Sequence, residues 1–405
     1  MSTETTAAPT GLDECASTGR AVRVAIVPDF REEFWPSMDL VADMLYANLC
    51  SQFSREMAVT QLHPAFRRRF ARVPIFPSKV ARNADRLMNR LRDYPVWLRK
   101  RRGDYDLFHI VDHSYSQLIH SLPADRTVVT CHDLDTFRCI LDPARDPRPA
   151  WFRTMSRRIL DGFKRAAQVI AVSSTTRDEL VRRGLFPENQ VSVIPNGVHP
   201  SCSPLPDPSA DAAIADMIGA DGLRAPLLIS VGNTLPRKRL DVLLRVFAVA
   251  RREVPQVRLL RVGGFAPEHR ELARSLDIQD AMITLPFLTR ELLAAVYRRG
   301  TLLVHTSEAE GFGLPVVEAM ACGCPVIATD IPVLREVGGR AASYSSLEDV
   351  SGWAATIVHL LDEKTQQPER WDARVQAGIA NAGRFSWAEN ARLTRLVYRK
   401  VLAQQ

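Results

Sequence analysis

Apolar residues in this chain fall into short unbroken runs, and between the runs they recur every three or four positions. The runs read as buried parallel strands and the periodic stretches as helices with one inward face. Val22–Val27 (VRVAIV) opens the series. A loop over 28–39 follows, then a helix over 40–53 with Leu40, Met44, Leu45 and Leu49 inward. Further strands are predicted at 108–111, Thr127–Cys131, 169–172 and 191–194, with helices over 79–93, 155–167 and 176–183. Polar residues cluster directly after the strands, at Asp112-His113-Ser114, His132-Asp133, Ser173-Ser174-Thr175 and Pro195-Asn196-Gly197. A strand–helix repeat of this kind predicts a doubly wound α/β domain, which binds ligands at the carboxyl edge of its sheet.

Residues 199–222, dense in proline and small residues, break the rhythm and read as a linker. The pattern then restarts with strands at 226–231, 257–262 and Met282–Leu285, and helices over 240–252, 268–276 and Arg290–Arg299. Next come a strand at Leu302-Leu303-Val304, a helix near 351–361 and a long last helix over 387–403. At 405 residues the chain has room for two such domains, each with its own core. The expected division is a tail over 1–20, a first Rossmann-like domain over 21–200, a second over 201–384, and a closing segment over 385–405.

Composition, 46% apolar and 24% charged, is that expected of a soluble globular protein. No apolar run nears the roughly 20 residues of a membrane span. The first 20 residues, rich in Thr, Ala, Ser and Gly, read as a disordered tail and not as a signal peptide. Seven scattered cysteines without an export signal suggest reduced thiols and a cytoplasmic protein. The net charge of +7 is concentrated: residues 66–103 hold 11 Arg and 2 Lys against 2 Asp, a balance of +11, leaving −4 elsewhere. One basic stretch suggests one anionic contact. Its helix has Val80, Ala84, Leu87 and Leu91 on one face and Arg82, Arg86 and Arg90 on the other. That face is either simply solvated or adheres to an anionic membrane from the cytoplasmic side. Aromatics are not interleaved as base-stacking platforms, so no nucleic acid is expected.

The densest chemistry is in 307–330, SEAEGFGLPVVEAMACGCPVIATD. It reads as a glycine loop, a short helix opened by Pro315 and closed by Gly323, and the next strand. Free backbone N–H groups and a helix N-terminus at a sheet edge suit a phosphate. Glu310 and Glu318 flank it, and carboxylates there suit hydroxyls such as those of ribose. Gly232-Asn233-Thr234-Leu235-Pro236-Arg237-Lys238 joins a strand to a helix, placing two cations where a helix N-terminus disfavours them unless an anion is bound. The two stretches together suggest a diphosphate site; the plainer alternative is solvated surface charge. Gly311-Phe312-Gly313 lacks the third glycine of a dinucleotide fingerprint, and no P-loop is present. His132 can donate to a ligand hydroxyl or take its proton, or it can be a histidine packed under a loop. Asp133-Leu134-Asp135 is a D-x-D tripeptide, but Asp104-Tyr105-Asp106 is a second, and no metal or cofactor is predicted.

Glu310-(GFGLPVV)-Glu318, with EAMACGCPVIATD and Glu336-Val337-Gly338-Gly339 after it, resembles the E-x7-E signature of the retaining glycosyltransferases of family 4. Residues 231–240 (VGNTLPRKRL), 194–198 (IPNGV), 171–180 (AVSSTTRDEL) and His132-Asp133 extend the resemblance over nearly the whole chain. It implies the GT-B fold, two Rossmann-like domains facing a central cleft, with the last helix returning to the first domain. It implies metal-independent hexosyl transfer with retention, from a nucleotide-diphosphate sugar to a glycan or lipid-linked acceptor. Glu318 would hold ribose, Arg237 and Lys238 the diphosphate, and Glu310 the sugar hydroxyls. Gly232, Gly311, Phe312, Gly313 and Leu314 would contribute backbone, and His132 would act at the reacting centre. The loop over 29–39 lacks the family's paired glycines, so Ser37 and its backbone are expected in that place, with Asp133 beside the acceptor. Asn233 stands where many members have arginine, and Arg237 would supply that charge. The Pro236-Arg237-Lys238 form tips the donor to GDP-mannose over UDP-glucose.

Overall fold

Among the described residues every strand is parallel to its neighbours, so each connection must cross back over a sheet face, and helices fill those crossovers. The structure, a computed structural model, describes residues 20–71 and 78–405. Residues 1–19 of the expected tail and residues 72–77 of the basic stretch lie outside the described residues.

The first sheet runs β2-β1-β3-β4-β5-β6, from β1 (Val22–Val27), β2 (Met57–Gln61), β3 (Leu107–Ile110), β4 (Thr127–Cys131), β5 (Gln168–Ala171) and β6 (Val191–Val193). Its helices are α1 (Pro36–Phe53), α2 (Ser78–Met88), α3 (Tyr94–Arg99), α4 (Arg138–Leu141), α5 (Ala150–Phe163) and α6 (Ser174–Arg182). The second sheet runs β12-β11-β10-β7-β8-β9, from β7 (Leu227–Val231), β8 (Arg258–Val262), β9 (Met282–Leu285), β10 (Leu302–His305), β11 (Val326–Thr329) and β12 (Ser343–Ser345). With it go α7 (Pro208–Arg224), α8 (Leu240–Glu253), α9 (Pro267–Ser275), α10 (Arg290–Arg299), α11 (Leu314–Ala321), α12 (Pro332–Gly338), α13 (Val350–Gln366) and α14 (Pro368–Ala382). The last helix, α15 (Trp387–Leu402), packs Ala391, Val397, Tyr398 and Val401 against β1 and α1, and the Tyr398 hydroxyl meets His109 Nδ1 at 2.7 Å. Both sheets carry apolar side chains on both faces, so central strands such as β3, β4, β10 and β11 are buried along their whole length, while the edge strands β2 and β12 are not.

Three sequence readings change. The stretch 199–222 is not all linker: α7 occupies its second half, burying Ala210, Ile214 and Ile218. Its proline sits in the first helical turn, where it costs nothing. The strand Met57–Gln61 and the helices Pro332–Gly338 and Pro368–Ala382 were not legible as separate elements. The basic helix is also rotated from the expected orientation. Its buried positions are Ala81, Asp85 and Asn89, while Val80 stays 55% exposed and Ala84, Leu87 and Leu91 are half-buried. Asp85 accepts from the backbone N–H groups of Arg69, Phe70 and Ala71, and Asn89 pairs with the Arg67 backbone. Arg86 and Arg90 turn inward onto the buried Glu33 carboxylate. Leaving those backbone groups or Glu33 unsatisfied would cost more than exposing a few methyl groups.

Candidate active site in the cleft

The order of the second sheet reverses between β10 and β7, and such a reversal leaves a crevice at the strand carboxyl ends. The loops leaving these two strands are the glycine loop 306–313 and the cationic turn 232–239. They meet on one carboxylate. Glu310 Oε1 receives Lys238 Nζ at 2.5 Å and His305 Nε2 at 3.0 Å, while Oε2 receives Arg237 Nη1 at 3.0 Å. Arg237 Nη1 also donates to the Ala309 carbonyl at 2.8 Å, and its other terminal nitrogen lies 4.0 Å from Asp133. Burial alone would raise the Glu310 pKa, but Lys238, the His305 hydrogen bond and Arg237 outweigh it and hold the carboxyl well below the usual range. The site therefore holds two preorganised cations neutralised by an internal anion.

Glu318 has a different environment. It lies on α11, 3% exposed, accepting from the Tyr297 hydroxyl at 3.0 Å with Arg290 3.8 Å away. Burial outweighs Arg290 and the Tyr297 bond, and raises its pKa. Arg290 also donates to the Pro36 carbonyl at 2.6 Å, which ties α10 to the start of α1 in the first domain. Ser37 is the exposed second residue of α1, and Leu314 packs against the cluster of Leu40, Val41 and Trp387. The N-termini of α1 and α11 thus face the same crevice from opposite domains.

The first domain supplies His132 and Asp133 after β4. The His132 ring donates from Nε2 to the Val111 carbonyl at 2.8 Å, since a carbonyl can only accept. Burial, aided by His113, lowers its pKa against the pull of Asp112, so the ring is neutral and Nδ1 is a hydrogen-bond acceptor. The His132 carbonyl presses on Gly311: a Cβ there would come within 1.6 Å of it, so only glycine allows the two domains to meet at this point. Gly313 has φ 95° and caps α11, while the Phe312 ring turns into the core against Phe385. Gly232 has φ 137°, with the Lys238 side chain beside it. Asp133, Arg237, Glu308 and Glu310 open onto a cavity of about 570 Å³ shared with Arg138 and Glu179.

Several participants were not singled out in the sequence. His305 ends the strand before the glycine loop and orients Glu310. Arg261, 1% exposed inside β8, donates to the carbonyls of Gly232 and Asn233 at 2.7 and 2.8 Å and shapes the cationic turn. An arginine following two leucines inside a buried strand was the available signal. Tyr297 and Arg290 sit on a helix whose sequence shows only its apolar face.

Two domains of this topology with a cationic turn and a glycine loop at the crevice define the GT-B class of sugar-transfer proteins. The glycosyltransferase family 4 model matches residues 47–201 and the group 1 glycosyltransferase model residues 221–376. The chain belongs to this family. It is 34% identical over 229 residues to D-inositol 3-phosphate glycosyltransferase of Segniliparus rotundus, covering 53% of this chain and 47% of that protein. It is 27% identical over 321 residues to O-antigen chain mannosyltransferase B of Escherichia coli, covering 76% and 81%. The match thus spans about half the length of the first of these relatives. Among solved structures, sucrose-phosphate synthase of Thermosynechococcus elongatus superposes with a TM-score of 0.72 at 20% identity, covering 95% of this chain and 100% of that one. HepE of Anabaena, solved with UDP and glucose, gives 0.68 at 17%, covering 93% and 99%. These likenesses show the GT-B fold.

Proposed function

We propose that the chain transfers a hexosyl group from a nucleotide-diphosphate sugar to a glycan or glycolipid acceptor, with retention and without a metal. The observation that carries this reading is the convergence of Arg237 and Lys238 on Glu310 opposite His132. An incoming diphosphate takes over the two cations and frees Glu310 to accept from sugar hydroxyls. Glu318, with Tyr297 behind it, receives the ribose. Among the described residues no side chain is placed as an obvious nucleophile, which favours attack on the face the diphosphate leaves. The acceptor oxygen bonds to the anomeric carbon, the bond from that carbon to the phosphate oxygen breaks, and the acceptor proton passes to the departing phosphate. Charge on that phosphate develops beside Arg237, Lys238 and the N-terminus of α11, where fixed cations and dipoles lower the barrier. His132 Nδ1, an acceptor only, orients a hydroxyl. The O-antigen chain mannosyltransferase supports mannose and a glycan acceptor; GDP-mannose is the donor that this reading takes. The inositol-phosphate relatives support a second reading, a small soluble acceptor; UDP-glucose is the alternative donor.

Membrane adhesion is part of the first reading. No helix among the described residues is long and apolar enough to cross a bilayer. Phe34 is 82% exposed beside Trp35, and Arg86 of the basic helix reaches the adjacent Glu33 at 3.1 Å. Exposed apolar rings, and a basic helix on which Lys79 and Arg82 are exposed, suit an anionic interface. A thermal-shift panel of UDP, GDP and their sugars tests the donor, and transfer assays with and without EDTA test metal independence. A donor at 100 times its dissociation constant should stabilise by about 2.7 kcal/mol. Failure of every nucleotide to shift the melt would refute the donor reading. Failure to sediment with phosphatidylglycerol vesicles at low salt would leave only the soluble reading.

A further inference from the structure

Two family-like stretches, 171–180 and 336–339, have no part in the donor chemistry above. The fold brings them together. Glu336, on α12 of the second domain, reaches the N-terminus of α6 in the first, 162 positions away. Its Oε1 accepts from the Ser174 N–H at 2.8 Å, and its Oε2 from the Thr175 N–H at 3.3 Å and the Thr175 hydroxyl at 3.4 Å. The first N–H groups of a helix have no partner in their own helix. Ser173 satisfies only the third, accepting from Thr176 N–H at 3.1 Å. The other two are satisfied by a carboxylate from the opposite domain, at the end of the helix dipole that attracts one.

The clasp adjoins the reacting centre. The Thr176 hydroxyl lies 3.5 Å from the Gly311 carbonyl, and Gly311 is the residue pressed against the His132 carbonyl. Leu334, half a turn before Glu336 on α12, packs under Gly313, where a Cβ would approach it to 2.8 Å. One short helix thus connects the interdomain bond to the glycine loop. We propose that Glu336 is a positioning residue for transfer: its carboxylate clasps α6 and sets the domain separation at which His132 faces Glu310. The kinetic consequence rests on the transfer reading; the clasp itself does not.

The test is hydrogen exchange at the amides of Ser174 and Thr175, together with kinetics, in wild type, Glu336→Ala and Glu336→Gln. Glu336→Ala should exchange both amides at least about tenfold faster. Glu336→Gln, which keeps one acceptor oxygen, should fall between. With GDP-mannose or UDP-glucose, whichever turns over, Glu336→Ala should lower kcat by about tenfold or more, equivalent to about 1.4 kcal/mol. The dissociation constant of GDP or UDP should change less than about twofold, because Arg237, Lys238 and Glu318 all belong to the second domain. Unchanged exchange in Glu336→Ala overturns the clasp. So does a nucleotide affinity that falls in step with kcat, which would mark general damage. If wild type binds neither nucleotide, the donor reading fails while the exchange result still decides the clasp.

Discussion

Replacing Glu310 by glutamine should separate stability, nucleotide binding and transfer in a way that few single changes can. Glu310 neutralises Lys238 and Arg237, which are 12% and 17% exposed, and accepts from His305. Removing one partner of a buried ion pair costs about 3–5 kcal/mol. Partial exposure lets water solvate the stranded cations, so about 1–3 kcal/mol is expected. For a domain of this size that is a fall in melting temperature of roughly 2–12 °C. The freed cations then have no internal competitor for a diphosphate. The shift induced by GDP or UDP should therefore equal or exceed that of wild type, with affinity up to about fivefold tighter, a gain near 1 kcal/mol. Transfer should move the other way, falling about 10²-fold, because the contact to the sugar is lost. Differential scanning fluorimetry with titrated nucleotide, and transfer from the corresponding sugar nucleotide, measure all three. Nucleotide binding that weakens in parallel with transfer would refute the assignment of Glu310 as the internal occupant of the cation pair.

Lys238→Ala should lower transfer by about 10²-fold and also weaken nucleotide binding, distinguishing it from the Glu310 variant. Glu318→Gln should weaken GDP or UDP by about tenfold, the scale of one charge-assisted hydrogen bond, and the loss should vanish with the 2′-deoxy nucleotide if Glu318 holds ribose. Gly311→Ala drives a methyl group into the His132 carbonyl, so kcat should collapse while nucleotide affinity, read by calorimetry, is kept. Asp29 and Asp112 lie at the reversal point of the first sheet; burial and Asp112 raise the Asp29 pKa well above its ordinary 3.8, while Asp112 is held at about 2. The folded chain thus keeps a proton that the unfolded chain releases, so stability falls as pH rises above about 4, by up to about 1.4 kcal/mol per unit until Asp29 ionises. Asp29→Asn should remove that slope, and melts at pH 5 and pH 8 that shift equally in both proteins would exclude it.

Much of this protein was written in its linear pattern. Alternating apolar runs and amphipathic stretches determined two parallel α/β domains, because buried strands and crossover helices each require one periodicity of apolar residues. Glycines, Pro315 and the two glutamates marked the loop after β10 for the same local reasons. The sequence could not show which charges would meet. Arg86 and Arg90 alternate with apolar positions like a solvated face, yet they turn inward, because Glu33 sits buried 53 positions before Arg86. Glu310 and Glu318 look alike in sequence. Tertiary packing made one an ionised partner of two cations and the other a carboxyl whose pKa is raised by burial beside Tyr297. The contact between Glu336 and α6 spans 162 residues, and no local propensity encodes it. Local sequence sets backbone conformation and the direction each side chain faces. Electrostatic roles depend on which distant groups share a desolvated space, and that is decided only when the two domains pack.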